Sequence, residues 1–245
     1  MMNMTETVKQ LLIINILFFI GSQFVPVSYD FLALHYFENE KFKIWQPISS
    51  MFMHGGIAHI AFNMFALYSF GSALEYRWGV KKFLFFYISC GLFGSLLYLG
   101  VNYYQVHEGL NSLLANGFDK TEVLSIMQEA KYDTRWQTIL SENQLNNMVQ
   151  AFNASSVGAS GAIYGLLVAF AMMYPDAELA LMFIPVPIKA KYFVPAWILL
   201  FDILYGTIFN GNTGIAHTAH IGGAICGFIM MWYWKKNQFN DKRWS

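Results

Sequence analysis

Charged residues are scarce in this sequence, and cysteine is almost absent. Only 12% of the 245 residues are charged, against about 25% in a typical soluble domain, and 56% are hydrophobic. So little charge cannot cover the surface of a soluble globular protein. The two cysteines, Cys90 and Cys226, each lie inside a long apolar run, where they form neither a disulfide framework nor a set of thiolate ligands. The formal net charge is zero, so the composition does not indicate a nucleic-acid partner.

Long apolar runs take the place of the missing charge. A helix needs about 20 apolar residues to cross the hydrocarbon core of a bilayer, and in lipid its backbone groups must be paired within the segment. Six runs approach this length, which predicts an all-α polytopic membrane protein with six transmembrane helices in a single membrane domain, residues 1–245. The six predicted spans are Leu11–Val27, Gly55–Leu74, Phe83–Asn102, Ala159–Tyr174, Tyr192–Phe209 and Ala216–Trp234.

The basic residues indicate how these spans are oriented. If both termini lie on one side, ten of the 15 lysines and arginines lie on that side and five on the other. Cytoplasmic loops carry the excess of Lys and Arg, so both termini are predicted to be cytoplasmic. The expected location is a bacterial plasma membrane.

A polar stretch, residues 103–157, separates the third predicted span from the fourth and is too long for a simple turn. Asp119 and Glu122 have the spacing of a helix capping box. Further on, apolar residues recur with the period of one helix face, at Leu145, Met148, Val149 and Phe152. We expect amphipathic helices that rest on the outer surface of the bilayer.

Polar residues inside membrane spans are costly, and here they gather in three clusters at the starts of the second, fourth and sixth spans. In the predicted topology these three spans all run inward, so the clusters lie at one depth near the outer face. Independent structural contacts would have no reason to share a level. The clusters are His54–Asn63, Gly158–Gly165 and Ala216–Gly223.

The cluster of the second span contains His59 and Asn63, four residues apart and therefore on one helix face. Their side chains can donate hydrogen bonds to a common point. They can equally hold neighbouring helices together, and the pair alone does not decide between these roles.

In the cluster of the fourth span, Ser160 lies between Gly158 and Gly161, with Tyr164 one helical turn below it on the same face. The spacing of Gly161 and Gly165 alone favours plain helix packing. Glycines also leave the backbone open, so that a substrate carbonyl can approach the serine and its amide.

The cluster of the sixth span contains His220, followed by Gly223 and Gly227. Glycines at this spacing allow the fourth and sixth spans to approach closely, which would place His220 against Ser160. A neutral imidazole is the usual base for a serine nucleophile. No acid lies beside His220 in the sequence, so we expect its ring to be held by stacking on Tyr164 and the pair to act as a dyad.

Taken in order, the motifs on these three spans resemble the rhomboid family of intramembrane serine proteases, and the resemblance covers nearly the whole chain. It implies a six-transmembrane-helix, rhomboid-like bundle. It also implies an endopeptidase that cleaves single-pass membrane proteins within the lipid bilayer near its outer face, without a metal or cofactor. The matching motifs are His59-xxx-Asn63, Gly158-Ala159-Ser160-Gly161 and Ala219-His220-Ile221-Gly222-Gly223.

The resemblance implies a role for each matching residue. Ser160 would attack the scissile carbonyl, and His220 would act as general base and then as general acid. His59, Asn63 and the Ser160 amide would form the oxyanion hole, and Tyr164 would support the histidine ring. Other residues match supporting positions of the family, namely His54, Gly158, Gly161, Gly223, Gly227 and, at the inner end of the second span, Glu75.

Three features depart from the resemblance or stand outside it. Family members commonly carry Trp-Arg in the loop between the first two spans, and here the pair is Trp45-Gln46, so the support of this loop is missing or replaced. The stretch 103–157 is longer than the family needs. Asp202 lies inside the fifth span, where an ionised acid costs about 2.5–3.5 kcal/mol. For Asp202 we expect a protonated or hydrogen-bonded structural role rather than a part in gating.

Two other functions fit parts of the sequence. His54, His59, His217 and His220 lie at one level and suit a metal-binding or metal-transporting membrane protein. No carboxylate or thiolate joins them in the sequence, however, and this function leaves Ser160 unexplained. The second alternative is an inactive rhomboid-like protein that binds other membrane proteins, which should lack the nucleophile or the base.

Overall fold

A computed structural model describes residues 3–181, 184–208 and 216–237 of the chain. The described part is mainly helical, and the predicted all-α membrane bundle is confirmed. Within it three helices are long and apolar enough to cross a membrane, Glu6–Phe24, Ile57–Trp78 and Val80–Ala115, while Ser160–Met173 is a shorter apolar helix. The count of six spans stays a prediction.

The elements follow one another from α1 near the N-terminus to α11 near the C-terminus. In chain order they are α1 (Glu6–Phe24), α2 (Ser28–Leu32), α3 (Gln46–Ser49), α4 (Ile57–Ala66), α5 (Ser72–Trp78), α6 (Val80–Ala115), α7 (Lys120–Gln128), α8 (Glu142–Asn153), α9 (Ser160–Met173), β1 (Glu178–Leu181), β2 (Ile184–Lys189), α10 (Ala190–Trp197) and α11 (His217–Lys236). Short 3-10 turns at Ser50–Phe52 and Thr134–Thr138 and a π-helical turn at Leu67–Gly71 lie between them.

The predicted fifth span is the least regular of the long segments. It begins as α10, contains Pro195, and from Ile198 continues as a π-helix to Ile208. Because proline has no backbone N–H to donate, it weakens the α-helical pattern around it. We call Ala190–Ile208 the α10 segment. Its predicted end at Phe209 lies outside the described residues, as do two basic residues used to predict the topology, Lys242 and Arg243.

A short antiparallel hairpin, β1 and β2, precedes the α10 segment, and the sequence does not predict it. Glu178 pairs with Lys189 and Leu179 with Ile188. Two ion pairs close the hairpin onto α10, because the Nζ atoms of Lys189 and Lys191 lie 3.2 and 2.8 Å from Asp176 Oδ1. Strands of four and six residues are too short to show a clear period-two pattern.

Three helices, α6, α9 and α11, cross at backbone contact. A Cβ atom added to Gly223 would overlap the carbonyl oxygen of Gly161, and one added to Gly227 would lie 2.8 Å from the Cα of Gly165. On α6, a Cβ atom on Gly94 would lie 2.6 Å from a backbone carbonyl oxygen of α11. We call this contact the glycine crossing. Only residues without a side chain allow it, and it sets how α9 and α11 face each other.

The second span consists of α4 and α5, and its inner end holds α1 in place. Glu75 is buried and accepts hydrogen bonds from Thr5 Oγ1 at 2.5 Å, Val8 N at 3.0 Å and Thr7 N at 3.2 Å. The two backbone donors belong to the first turn of α1, where N–H groups have no intrahelical partner. Glu75 therefore caps α1 and attaches it to the second span.

The stretch 103–157 folds into a compact unit formed by the end of α6 together with α7 and α8, which we call the outer cap after the side of the membrane predicted for it. Leu145, Met148 and Phe152, on one face of α8, are buried in a hydrophobic core that includes Val106 and Leu110 of α6. Protein therefore covers this stripe, and the position of the helices on the outer surface of the bilayer stays a prediction. Because α6 continues well beyond its predicted end, its outer turns give α8 an apolar partner inside the protein.

Both helices of the outer cap begin at side-chain caps. Asp119 accepts hydrogen bonds from the backbone N–H groups of Thr121 and Glu122 at the start of α7. A capping box formed by Ser141 and Gln144 begins α8, and the sequence analysis did not identify it. Each cap satisfies donors that the first turn of a helix leaves free.

The loop between α1 and α4 is supported by Gln46 in place of the family's arginine. Gln46 is fully buried, its Oε1 accepts from His35 N at 3.2 Å, and its Nε2 donates to Lys41 O at 2.8 Å. The amide thus both accepts and donates, which a guanidinium cannot do. The support of the loop is replaced rather than missing.

The same loop is joined to the outer cap and to the start of α9. Leu34 and Ser156 exchange two backbone hydrogen bonds of 2.9 Å, and Gly158 N donates to Ser50 O at 2.9 Å. The chain entering α9 is therefore fixed by backbone contacts before Ser160 is reached.

Candidate active site

Ser160 is the first residue of α9 and follows a turn that requires glycine. Gly158 has a φ angle of +128°, a conformation that residues with a side chain rarely adopt. At the start of a helix the backbone N–H of Ser160 has no intrahelical partner. The Oγ atom of Ser160 lies 2.8 Å from Nε2 of His220, in the first turn of α11, and the glycine crossing produces this contact.

The ring of His220 is held on three sides. Ser160 contacts Nε2, and the Tyr164 ring stacks on the imidazole with centroids 4.2 Å apart and planes 14° apart. On the far side, Nδ1 lies 2.8 Å from Oδ1 of Asp202. Because an ionised carboxylate only accepts hydrogen bonds, Nδ1 carries the proton and Nε2 presents its lone pair to the serine hydroxyl.

The expectation that His220 has no carboxylate partner is therefore wrong. Asp202 comes from the π-helical part of the α10 segment, 18 residues earlier in the chain, and is 1% exposed. The same oxygen lies 2.9 Å from Nδ1 of His217. Asp202 has the hydrogen-bonded state that the sequence analysis expects, but one of its partners is the candidate base.

Trp197 is a second residue of the α10 segment that the sequence analysis did not single out. Its Nε1 donates a 3.0 Å hydrogen bond to Oη of Tyr164, which in turn stacks on His220. The sequence offers one weak signal for the contacts of Trp197 and Asp202: a tryptophan and, five residues later, an acid lie in an otherwise apolar segment. The α10 segment therefore reaches the site at two points.

His59 and Asn63 lie four residues apart on α4, and His59 approaches the turn before Ser160. The Nδ2 atom of Asn63 is buried and has no hydrogen-bond partner within the described residues. Gly55 N donates to Nδ1 of His59 at 3.4 Å, so the proton of a neutral His59 ring resides on Nε2. A Cβ atom placed on Gly158 would lie 2.8 Å from this Nε2 and 3.5 Å from Ser160 Oγ. The Nε2 donor of His59 thus lies near the serine.

His54 lies against His59. It is fully buried, and its ring centroid lies 5.1 Å from that of His59 at an interplanar angle of 67°. Its backbone carbonyl accepts a hydrogen bond from the Tyr29 hydroxyl. Within the described residues neither ring nitrogen has a partner, so His54 acts here as packing for His59.

The four histidines do not form a single cluster. Within the described ranges, the group with metal-ligand chemistry is Asp202, His217 and His220, whose ligand atoms lie within 4.8 Å of one another. A carboxylate therefore does join two of the histidines, contrary to expectation. Both nitrogens lie 2.8–2.9 Å from the carboxylate oxygen, a hydrogen-bond distance shorter than the about 3.3 Å between ligands of a tetrahedral zinc ion.

Comparisons with known proteins show the family to which the chain belongs. A family model described as a rhomboid domain matches residues 41–237. An uncharacterised mitochondrial rhomboid protein of Schizosaccharomyces pombe is 28% identical over 208 residues, which cover 78% of this chain and 52% of that protein. The rhomboid protease AarA of Providencia stuartii is 30% identical over 190 residues, covering 76% and 54%.

Another relative, the mitochondrial rhomboid protein 1 of Saccharomyces cerevisiae, is 27% identical over 196 residues, covering 77% of this chain and 41% of its own length. The chain thus spans about half the length of the curated relatives it matches.

Proposed function

The chain belongs to the rhomboid family, and on that premise we propose that it is an intramembrane serine endopeptidase with Ser160 as nucleophile and His220 as base. It is an integral membrane protein, and its proposed substrates are single-pass membrane proteins in the same bilayer. The observation that carries the proposal is the 2.8 Å contact between Ser160 Oγ and His220 Nε2. A serine hydroxyl becomes a useful nucleophile when such a base accepts its proton.

The proposed reaction proceeds in two halves. Ser160 Oγ bonds to the scissile carbonyl carbon while its proton passes to Nε2 of His220. The imidazolium then gives this proton to the leaving amine nitrogen as the C–N bond breaks, which leaves an acyl-serine. In the second half a water molecule loses a proton to His220 and attacks the acyl carbon, and Ser160 recovers its proton when the carboxylic product leaves.

His59, Asn63 and the Ser160 amide are the proposed oxyanion hole. During attack the carbonyl oxygen gains negative charge, and donors already aimed at it stabilise the transition state without reorganising. The buried, unpartnered Nδ2 of Asn63 and the Nε2 proton of His59 are such donors. In a folded protein a buried amide donor usually has a partner, so its lack of one supports a role in binding an oxygen from outside.

Cleavage is proposed to occur near the outer face of the membrane. A peptide bond within a transmembrane helix is protected by its own hydrogen bonds, so a substrate must unwind locally, and helix-weakening residues near the outer interface favour this. Hydrolysis also needs water, which the hydrocarbon core excludes. The bacterial plasma membrane and cytoplasmic termini remain predictions, because relatives carry both mitochondrial and bacterial names.

The direct test reconstitutes the purified protein in liposomes with a single-pass substrate that has glycine near its outer interface. We expect one cut in the outer part of the transmembrane segment, located by mass spectrometry, and no product with Ser160→Ala. A fluorophosphonate probe should label the unmodified protein and not this variant. Cleavage that persists in Ser160→Ala would contradict the assignment.

Metal binding is the second candidate function, favoured by the grouping of Asp202, His217 and His220. Cleavage that survives strong chelation argues against it, whereas high-affinity zinc binding by an inactive protein supports it. An inactive membrane-protein binder is disfavoured because nucleophile and base are both present and in contact.

A further inference from the structure

Asp202 contacts the candidate base on the side opposite to Ser160. Its Oδ1 lies 2.8 Å from Nδ1 of His220, whose Nε2 lies 2.8 Å from Ser160 Oγ. Serine, imidazole and carboxylate thus form a continuous hydrogen-bonded line. Building on the proposed function, we propose that Asp202 is a positioning residue that holds His220 in its proton-accepting tautomer and stabilises the imidazolium formed during attack.

The carboxylate is itself anchored by a second histidine. Nδ1 of His217, one helical turn before His220 on α11, lies 2.9 Å from the same oxygen. Asp202 and His217 are 1% and 8% exposed, so water does not compete strongly for these bonds. The position of the oxygen that faces His220 is therefore set by α11 as well as by the α10 segment.

The energetic argument depends on the difference between resting and reacting states. Before attack, the neutral ring of His220 gives the buried carboxylate a hydrogen bond but no full positive charge. When His220 takes the proton of Ser160, an imidazolium appears next to this carboxylate, and their attraction in a low-dielectric site is strong. An interaction that is stronger in the transition state than in the resting state accelerates the reaction.

The proton balance stays that of a serine–histidine pair. The Nδ1 proton of His220 remains on nitrogen throughout, and Asp202 accepts a hydrogen bond without taking a proton. The proton that moves travels from Ser160 Oγ to Nε2 and then to the leaving amine. Asp202 therefore acts through His220 and does not contact the substrate.

A purely structural role for Asp202 makes a different prediction. If its function were only to join the α10 segment to His217, its loss would lower stability and would affect catalysis through general loosening. If it holds a metal ion with both histidines, activity would depend on that ion. The present distances match hydrogen bonds and are too short for neighbouring zinc ligands.

The kinetic test compares Asp202→Asn with the matched control Asp176→Asn, an acid in an exposed ion pair on the hairpin side. We expect Asp202→Asn to lower kcat by about 10²- to 10⁴-fold with KM changed less than about twofold, because charge is lost at the base and not at the substrate. Asp176→Asn should leave both unchanged. Equal kcat in the Asp202→Asn variant and the unmodified protein would overturn the proposal, as would zinc-dependent recovery of activity after chelation.

The second measurement does not depend on cleavage or on an Asp202 variant. Nitrogen-15 NMR of histidine-labelled protein, with the His220 signal assigned by its absence in His220→Ala, should show the proton on Nδ1 and a bare Nε2. A proton on Nε2 would overturn the proposal. If the unmodified protein cleaves nothing while His220 has the expected tautomer, the proposed function fails and the positioning of His220 by Asp202 stands.

Discussion

The two sides of the candidate site are held by different forces. Ser160 and His220 lie on α9 and α11, which touch through backbone atoms at the glycine crossing. Asp202 and Trp197 lie on the α10 segment, which turns from α- to π-helix and has a largely exposed outer face, with Leu200 54% exposed. The first side is fixed by backbone packing, whereas Asp202 and Trp197 contact the site through hydrogen bonds.

This difference predicts two kinds of contact. The contact between α9 and α11 is required for any cleavage, whereas the contacts of the α10 segment change the rate of cleavage. Backbone packing cannot yield without separating nucleophile and base, so the glycine crossing should act as an all-or-none requirement. Hydrogen bonds from a less regular segment can be broken and re-formed at small cost, about 0.5–1.5 kcal/mol for a neutral pair. Contacts made by the α10 segment should therefore alter the rate while the fold is kept.

The largest effect is expected from Gly223→Val at the glycine crossing. Its Cβ would overlap the carbonyl oxygen of Gly161, and backbone atoms on both sides cannot move aside. Overpacking commonly costs about 1–3 kcal/mol, and here it also separates Ser160 from His220, so cleavage should fall below detection. The matched control is Gly100→Val on α6, where an added Cβ meets nothing within 4 Å.

Thermal unfolding in detergent and substrate cleavage together measure this effect. Gly223→Val should lose stability and activity at once, whereas Gly100→Val should keep both. An active, stable Gly223→Val protein would show that α9 and α11 can separate without harm, and the contrast between the two sides would disappear.

Asn63→Ala is expected to have the next largest effect. It tests whether α4, like α9 and α11, is required for cleavage; we call the elements required in this way the fixed side. Loss of one oxyanion donor raises the barrier by about 2.7–4 kcal/mol, which is about 10²- to 10³-fold in kcat. Within the described residues the Nδ2 atom of Asn63 has no hydrogen bond to lose, so unfolding should change little. Asn63→Asp, which keeps the shape but cannot donate when ionised, should be equally impaired.

The exposed Asn146 of α8 provides a matched control, and Asn146→Ala should leave kcat unchanged. If Asn63→Ala keeps full kcat, its amide does not face the oxyanion. A large fall in stability would instead assign Asn63 to helix packing, the alternative left open by the sequence.

Glycine spacing and helical periodicity explain why part of this site could be predicted from the sequence. Ser160, His220 and Tyr164 were singled out because glycine spacing encodes close helix contact and helical periodicity places residues on one face. Asp202 and Trp197 could not be joined to them, since their contacts depend on where a π-helical segment turns. Nothing local in the sequence fixes that turn.

The outer cap illustrates a second limit of periodicity. The stripe of α8 that includes Leu145 and Phe152 correctly indicates a buried helix face, but a period does not say what covers that face. Lipid and protein are equally apolar partners. The decisive fact, that α6 continues to Ala115, depends on packing between distant segments.

A smaller effect is expected from Gln46→Leu, which tests whether the fixed side includes the loop before α4. Removal of the amide takes the partner from His35 N, which is buried, and from Lys41 O, and a buried group left without a partner costs about 1–3 kcal/mol. The unfolding temperature should fall while kcat at low temperature is kept. Gln150→Leu, at an exposed position of α8, is the matched control.

If kcat falls for Gln46→Leu at temperatures where the variant is fully folded, the loop between α1 and α4 is also required for catalysis. Such coupling would run through the bond from Gly158 N to Ser50 O, which joins the loop to the turn before Ser160. Unchanged stability would mean that water replaces the lost partner.

The smallest effect is expected from Trp197→Phe, which keeps an aromatic ring in the α10 segment and removes one donor. Tyr164 Oη loses its 3.0 Å hydrogen bond, while the stacking of its ring on His220 remains. Loss of about 1 kcal/mol should lower kcat about fivefold with little change in stability. Trp232→Phe, at a half-exposed position of α11, serves as control.

Combining Trp197→Phe with Asp202→Asn sharpens the contrast between the two sides. Asp202 contacts His220 directly, and Trp197 acts on it through Tyr164. Once the carboxylate contact is lost, removing the tryptophan donor should lower kcat by a smaller factor than it does alone. Independent, additive losses would show that the two contacts act separately. A loss from Trp197→Phe as large as that from Asn63→Ala would contradict the small effect expected here, because a single neutral hydrogen bond contributes only about 0.5–1.5 kcal/mol.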